Sequence, residues 1–281
     1  MNSLKYFFFH PQFKKFPFRT VLRLIIWQLY FKLFNKKAIV NFWSNLKIEL
    51  EPMKRRGITG LIYIFRNFEE ESKYMLDYIK EGMNVLDIGA NIGYYSLIFS
   101  KLVGAKGRVF SVEPTKSTYE KLLRNIQLNK CNNIEPLNFA LSNKKEIRQF
   151  YHAEDHGRNA FAPEFKDSKF EYVECKVLDD FIDENNLQVD FIKIDVEGAE
   201  KLVFEGGRKF LSRFTGMIFC EINKYKMGLM GYKSEELVSL LKDEFKFNFY
   251  VYEPQKQELI VLNDPNSFDG NVYLTKKIFN N

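Results

Sequence analysis

The sequence predicts a doubly wound α/β domain, and three observations carry that prediction. From about residue 58 onward, strand-like and helix-like stretches alternate. The strand-like ones are near-continuous runs of Val, Ile, Leu and Phe, the pattern of strands covered on both faces by helices in a parallel sheet. The first, inside NVLDIGANIGYYS (84–96), closes on Asp87 and passes through Gly89 and Gly93 into an apolar helix, and the second, RVFSVEP, ends on Glu113.

Residues 1–57 precede this pattern and differ from it in charge. Twelve Lys or Arg stand against two Glu in residues 1–60, a net +10, so the other 221 residues carry −4 of the total of +6. Within residues 1–37 the cations alternate with Phe, Trp, Leu and Ile, and the longest uncharged apolar-rich run there, Leu24–Phe31, falls far short of the ~20 residues that span a bilayer. Arg19, Arg23 and Lys32 also interrupt any signal-peptide pattern. The segment is expected to be helical. It either packs on the main body with its cations solvated, or makes peripheral contact with an anionic membrane through residues 1–50. Nucleic acid is not an expected partner, because no nucleic-acid-binding motif accompanies the basic patch.

Residues 58–281 supply the main domain. In order, MNVLDIG reads as a strand, IGYYSLIFSKLV as a helix, GRVFSVE as a strand, KSTYEKLLRNIQLN as a helix and IEPLNFAL as a strand. After an insert come the strand VDFIKIDVE, the helix AEKLVFEGGRKFLS and the strand GMIFCEI. KSEELVSLLKDEF is a capped amphipathic helix, and NFYVYEP and GNVYLTKK are strands separated by turn material from Pro254 to Gly270. Two strands joined without a helix imply an antiparallel excursion at the sheet edge. A chain that is 46% hydrophobic and 28% charged can bury the core this requires. Cys131, Cys175 and Cys220 form no C-x-x-C, and His10, His152 and His156 are the only histidines. Free thiols in a reducing, cytoplasmic setting are therefore expected, the basic segment allowing a place at the inner face of a membrane, and no metal site is read.

In doubly wound sheets, ligands bind beyond the carboxyl ends of the strands, where the strand order reverses. The turn at Gly89 lies there, and glycine lets backbone N–H groups approach a ligand, while Gly93 lets the helix start close to the strand. Glu113, ending the next strand, is placed to accept hydrogen bonds from a ribose diol. Together these predict an adenosine-containing ligand. A dinucleotide fits less well, because Ala90 and Asn91 fill the turn where G-x-G-x-x-G has its second glycine, and Asp87 would repel a pyrophosphate but attract an ammonium group. S-adenosylmethionine has the required form.

With VLDIGANIGYYS, VFSVEP, FALSN, KVLDDFI, DFIKIDVEGAE, FEGG and CEIN on the page, the sequence resembles the FkbM-type S-adenosylmethionine-dependent methyltransferases from about Phe65 to Lys276. The resemblance implies a class I methyltransferase sheet of seven mostly parallel strands and O-methylation, commonly of sugar hydroxyls in glycans or secondary metabolites. It implies no cofactor beyond the methyl donor. By position, Asp87, Gly89, Asn91 and Gly93 would hold the donor's methionine end, and Glu113 its ribose. Asn138 and Ala140, at the end of the third strand, would lie beside the adenine. Glu69 matches an acidic position that closes over the donor.

Methyl transfer to oxygen needs in-line positioning and a place for the hydroxyl proton. Asp195 and Glu197, two apart on one side of a strand end, and Glu221 on the next strand are the candidate bases, with Asp195 also a candidate for the donor's ammonium. The same three carboxylates could hold a divalent cation. Asn223 stands where the family often has a histidine and is a further candidate for contact with the acceptor. The insert FYHAEDHGRNAFAPEFKDSKF is the expected acceptor-facing loop, with His152, His156, Arg158 and Asn159 as hydrogen-bonding candidates and Tyr151 or Phe161 as a stacking face. The expected acceptor is a sugar or glycan, free or lipid-linked. A dinucleotide-dependent oxidoreductase and a nucleic-acid methyltransferase are the competing classes.

Overall fold

The computed structural model describes residues 8, 10–51, 58–65, 70–152, 160–163 and 168–279. Two helices open the chain, α1 (Pro11–Lys15) and α2 (Pro17–Phe34), each starting on a proline whose fixed φ and missing N–H suit a first turn. An antiparallel hairpin follows, β1 (Ala38–Asn41) with β2 (Lys47–Leu50), so the basic segment is not helical throughout. Helices α3 (Ile58–Phe65) and α4 (Lys73–Tyr78) lead into the first strand of the main sheet.

The expected alternation then appears: β3 (Asn84–Ile88), α5 (Tyr94–Val103), β4 (Arg108–Val112), α6 (Lys116–Asn129) and β5 (Ile134–Leu137). IEPLNFAL is not one strand. It breaks at Asn138–Phe139, and β6 (Ala140–Ser142) joins β7 (Glu146–Tyr151) and β8 (Phe170–Val177) in a separate sheet of order β6-β8-β7. The expected insert thus starts at the end of β7 and ends at the start of β8, and within it Ala160 makes an isolated bridge to Tyr151. Helix α7 (Leu178–Glu184) returns the chain to β9 (Phe191–Ile194). The next helix is divided at Gly207 into α8 (Glu200–Gly206) and α9 (Arg208–Arg213) before β10 (Met217–Ile222). Helices α10 (Lys224–Leu229) and α11 (Ser234–Ser239) precede β11 (Asn248–Glu253), β12 (Glu258–Val261) and β13 (Gly270–Thr275).

The main sheet runs β12-β11-β13-β10-β9-β3-β4-β5. The five strands from β10 to β5 are mutually parallel, and β13, β11 and β12 pair antiparallel at the other edge. The seven expected strands are all present, and β12 is an eighth, formed from residues expected to be turn. Strand order reverses between β3 and β9, which sets the carboxyl ends of β3, β4, β9 and β10 around one crevice.

Alternation along the strands divides the core. Leu86, Ile88, Phe110, Val112, Ile192 and Ile194 face α7, α8, α9 and α11. Val85, Val109, Phe191 and Met217 face α5 and, beyond it, Ile48 and Leu50 of the hairpin and Trp27 of α2. The N-terminal segment thus completes one side of the domain. A polar clamp fastens it: buried Asn125 of α6 accepts a hydrogen bond from Glu49 N (2.8 Å) and donates to the Ile92 carbonyl (2.8 Å), and Asn129 brackets Lys47. Glu49 and Glu51 add ion pairs to Lys37, Lys121 and Arg124.

Because Asn125 satisfies two backbone groups away from water, Asn125→Ala should destabilise the chain by about 2–4 kcal/mol, whereas loss of an exposed ion pair such as Lys37–Glu49 should cost under about 1 kcal/mol; chemical denaturation measures both.

Candidate functional site

The turn after β3 is built by its neighbours. Gly89 N and Ala90 N both donate to the Val112 carbonyl at the end of β4 (2.9 and 3.0 Å). Gly89 has φ +82°, and a Cβ there would lie 1.9 Å from the Asp195 carbonyl oxygen. Gly93 has φ +91°, and its Cβ would meet Leu122 of α6 at 2.6 Å. Both glycines are thus demanded by the close approach of other parts of the protein, a reason the motif alone does not carry. Asn91, at φ +52°, occupies the left-handed region that Asn tolerates, and its side chain accepts from Ile92 N at 2.7 Å.

Glu113 stands beside that turn. Its two oxygens accept from Asn91 N and Thr115 N, each at 3.0 Å, and the Thr115 side chain adds a third hydrogen bond, which leaves one of the carboxylate's roughly four acceptor sites. Burial pushes Glu113 up to about 7 against the opposing pull of those backbone donors. Asn138 ties the end of β5 to the same place, donating to the Glu113 and Pro114 carbonyls (2.8 and 2.9 Å). Ala140 corrects its expected position: it does not end the third strand but opens β6, buried opposite Cys175.

A buried lysine organises the next corner. Lys193, opposite Asp87 in the β3–β9 register, places Nζ 3.8 Å from Asp87 Oδ1 and 3.4 Å from Asp195 Oδ2. Asp87 is fully enclosed and accepts from Ser96 Oγ at 2.6 Å. Burial raises Asp87, with Lys193 and Ser96 opposing. Asp87 is therefore closed to direct contact with an ammonium group, a correction to its expected role, and Asp195, with 41% of its side chain exposed, is the acid that faces outward. Desolvation pushes Asp195 up, but Lys193 and Lys226 outweigh it and hold Asp195 below the usual carboxylate range.

Glu197 and Glu221 meet through a residue that no motif singled out. Lys226 of α10 lies 2.5 Å from Glu197 and 2.9 Å from Glu221. Asn223, expected at the acceptor, caps α10 and accepts from Lys226 N at 3.1 Å, which fixes the turn that aims the lysine. Glu197 sits at φ +56°, a left-handed conformation that turns the chain sharply after β9. Burial, with Asp195 and Glu221 adding to it, pushes Glu197 up to about 8 against the pull of Lys226. Beneath this loop, buried Glu200 accepts from Val196 N and Gly198 N, both at 3.2 Å. Among the described residues, no group of three or more His, Cys, Asp or Glu is arranged to hold a metal ion.

The insert contributes a wall. Phe150, Phe161, Val173, Cys175 and Ala140 pack against Val196 and Ala199, beside the carboxylate loop. Phe161 is used up in that packing, edge-on to Phe150 at 5.0 Å with the Arg148 guanidinium over its ring. Tyr151, half-buried, donates to the Gln149 side chain at 2.8 Å. His152 Nε2 lies 3.5 Å from Glu171, whose other oxygen accepts from Lys116 N and whose charge helps raise Glu113. His152 is thus drawn to the Glu113 side of the crevice. Glu69, His156, Arg158 and Asn159 lie outside the described residues.

Glu200 yields a stability prediction. Burial raises it from 4.5 to about 7, so the native state binds its proton more tightly than the unfolded chain. The stability this contributes is complete below pH 4.5 and lost as pH rises through about 7. Glu200→Gln keeps an acceptor for both N–H groups and cannot ionise, so at pH 8 it should be more stable than the parent by up to about 3 kcal/mol, the difference vanishing in acid; denaturation across pH measures it.

The geometry can be compared with known proteins. A family model described as the methyltransferase FkbM domain matches residues 87–249. Over 176 residues the chain is 25% identical to methyltransferase sdnD of Sordaria araneosa, covering 51% of this chain and 68% of that protein. It is 36% identical over 56 residues to a protein-L-isoaspartate O-methyltransferase of Methanothrix thermoacetophila; the match takes in 20% of this chain and spans only 27% of that enzyme's length. A solved FkbM methyltransferase from Methylobacillus flagellatus superposes with a TM-score of 0.44 at 18% identity, over 69% of this chain and 43% of that one. The family match runs from the buried acid of the glycine turn to the start of β11, more than half of the chain, and the chain belongs to the FkbM methyltransferase family.

Proposed function

We propose that this chain is an O-methyltransferase that transfers a methyl group from S-adenosylmethionine to a sugar hydroxyl, free or lipid-linked. The residues present suit the donor. Glu113 has acceptor capacity left at the end of β4, where a ribose diol would be held. Asp195, kept ionised by Lys193 and Lys226, offers an exposed negative charge for an ammonium group. When bound, the donor supplies an electrophilic methyl carbon on a sulfonium centre.

The protein's part is to hold the acceptor in line and to take its proton. A hydroxyl is a poor nucleophile until a base receives its hydrogen, and the useful base has a pKa near the working pH. Glu197 meets that requirement, and its setting is the single observation that carries the proposal: a buried carboxylate pushed up to about 8, held by Lys226 between Asp195 and Glu221. As the acceptor oxygen bonds to the methyl carbon and the carbon–sulfur bond breaks, the hydroxyl proton passes to a Glu197 oxygen. Lys226 and Glu221 hold Glu197 in place. Asn223 acts through the helix cap rather than by touching the acceptor.

Two outcomes test this. S-adenosylhomocysteine should raise the thermal midpoint of the parent protein where NAD and NADP do not, and Glu113→Ala should lose that shift while remaining folded; no shift in the parent would sink the donor assignment. With a sugar acceptor, kcat should rise with pH through about 8 as Glu197 ionises. Glu197→Gln should lower kcat by about 10²–10⁴-fold with binding of S-adenosylhomocysteine retained. An unaltered pH profile in that variant would reject Glu197 as the base.

A further inference from the structure

Among the described residues, helix α2 is held by one face only. Inward, Trp27 stacks on Tyr63 of α3 with ring centroids 4.5 Å apart, Thr20 is buried, and Arg23 donates to the Ile64 carbonyl at 3.3 Å. Outward, Phe18, Leu22, Ile25, Leu29 and Leu33 fall on a single stripe at helical spacing, and their exposures run from 48% for Ile25 to 90% for Phe18. Val21 and Ile26, also exposed, widen the stripe on either side.

Charge decides what can cover it. Arg19 and Lys32 flank the stripe on opposite sides, Lys14, Lys15 and Lys36 are exposed near its two ends, and no Asp or Glu occurs before Glu49. A second copy would bring two such basic faces together, whereas an anionic lipid surface meets both the apolar stripe and its cationic rim. The 18-residue helix is about 27 Å long. No helix of the described residues is long and apolar enough to cross a membrane, so contact would be along its side.

We infer that the outward face of α2 docks the protein on a bilayer rich in anionic phospholipid, with the rings and aliphatic side chains in the headgroup boundary and the cations at lipid phosphates. A cavity of about 340 Å³ lined by Arg19, Thr20, Arg23 and Phe42 lies on the flank of α2 that meets the body of the protein, apart from the apolar stripe.

Vesicle binding reads this docking without any methyl transfer, so its failure and that of the catalytic proposal are separable. The full chain should cosediment with vesicles containing phosphatidylglycerol and not with pure phosphatidylcholine, and rising salt should weaken binding. The Leu22→Glu/Leu29→Glu pair should lower the partition by at least about tenfold. Arg19→Gln and Lys32→Gln should each lower it by about fivefold, and these milder changes carry the test should the double variant not fold. All should retain the thermal midpoint shift with S-adenosylhomocysteine. Parent-like vesicle binding by the folded variants would overturn the inference, as would no binding by the parent. So would a concentration-dependent dimer, abolished by the same substitutions, in a protein that ignores lipid.

Discussion

Lys193 carries a positive charge into a strand whose other residues, Phe191, Ile192 and Ile194, are wholly apolar and buried. A lone ammonium there would cost several kcal/mol of lost hydration, so the strand is tolerable only because Asp87 lies opposite in register and Asp195 lies two residues along. That pairing has consequences on both sides. Asp87 and its partner Ser96 join β3 to α5 beneath the glycine turn, while Asp195 is held ionised at the mouth of the crevice. The glycine turn completes the arrangement, since its closest neighbour is the Asp195 carbonyl, and any side chain at Gly89 would drive the two strand ends apart.

A second lysine repeats the device one strand farther on. Lys226 lies between Glu197 and Glu221, and with Asp195 the corner holds three carboxylates and two ammonium groups. The two acids on either side of Val196 are driven in opposite directions. Both are desolvated, but Asp195 has both cations within influence and stays low, while Glu197 has Lys226 alone, is flanked by two acids and is pushed up. In the proposed mechanism this separation supplies an anion for the donor and a proton acceptor for the acceptor hydroxyl within three residues. The loop that achieves it is itself supported from below by Glu200 and from the side by the small sheet of the insert.

The N-terminal segment enters the same structure through its polar contacts. Asn125 links the hairpin backbone to Ile92 inside the glycine turn, so the segment is continuous with the donor side of the crevice rather than appended to it. Its hydrophobic residues split accordingly. Trp27, Ile48 and Leu50 complete the core beside the sheet, whereas the stripe from Phe18 to Leu33 has no counterpart among the described residues.

Much of this was legible in the chain itself. The alternation of apolar runs with helical patterns determined the doubly wound sheet, because strands buried on both faces leave no other economical composition, and the spacing of Asp87, Gly89, Gly93 and Glu113 marked the crevice. Asp195, Glu197 and Glu221 were identifiable because acids at the ends of buried strands have few structural uses. Tertiary structure alone decided the rest. Which side of a strand end is enclosed depends on the neighbouring strand, so the motif alone presents Asp87 as open to a ligand, whereas the fold buries it with Lys193 opposite. Lys226 is one unremarkable lysine in a short helix until Asn223 caps that helix and turns it toward Glu197. Ala140 changed sheets because the pairing of β6 with β8 joins residues thirty-five apart, a contact local pattern does not encode. The sequence determines which residues prefer the interior and how they repeat; only the folded chain decides which charges meet there, since that depends on register and distance between segments remote in sequence.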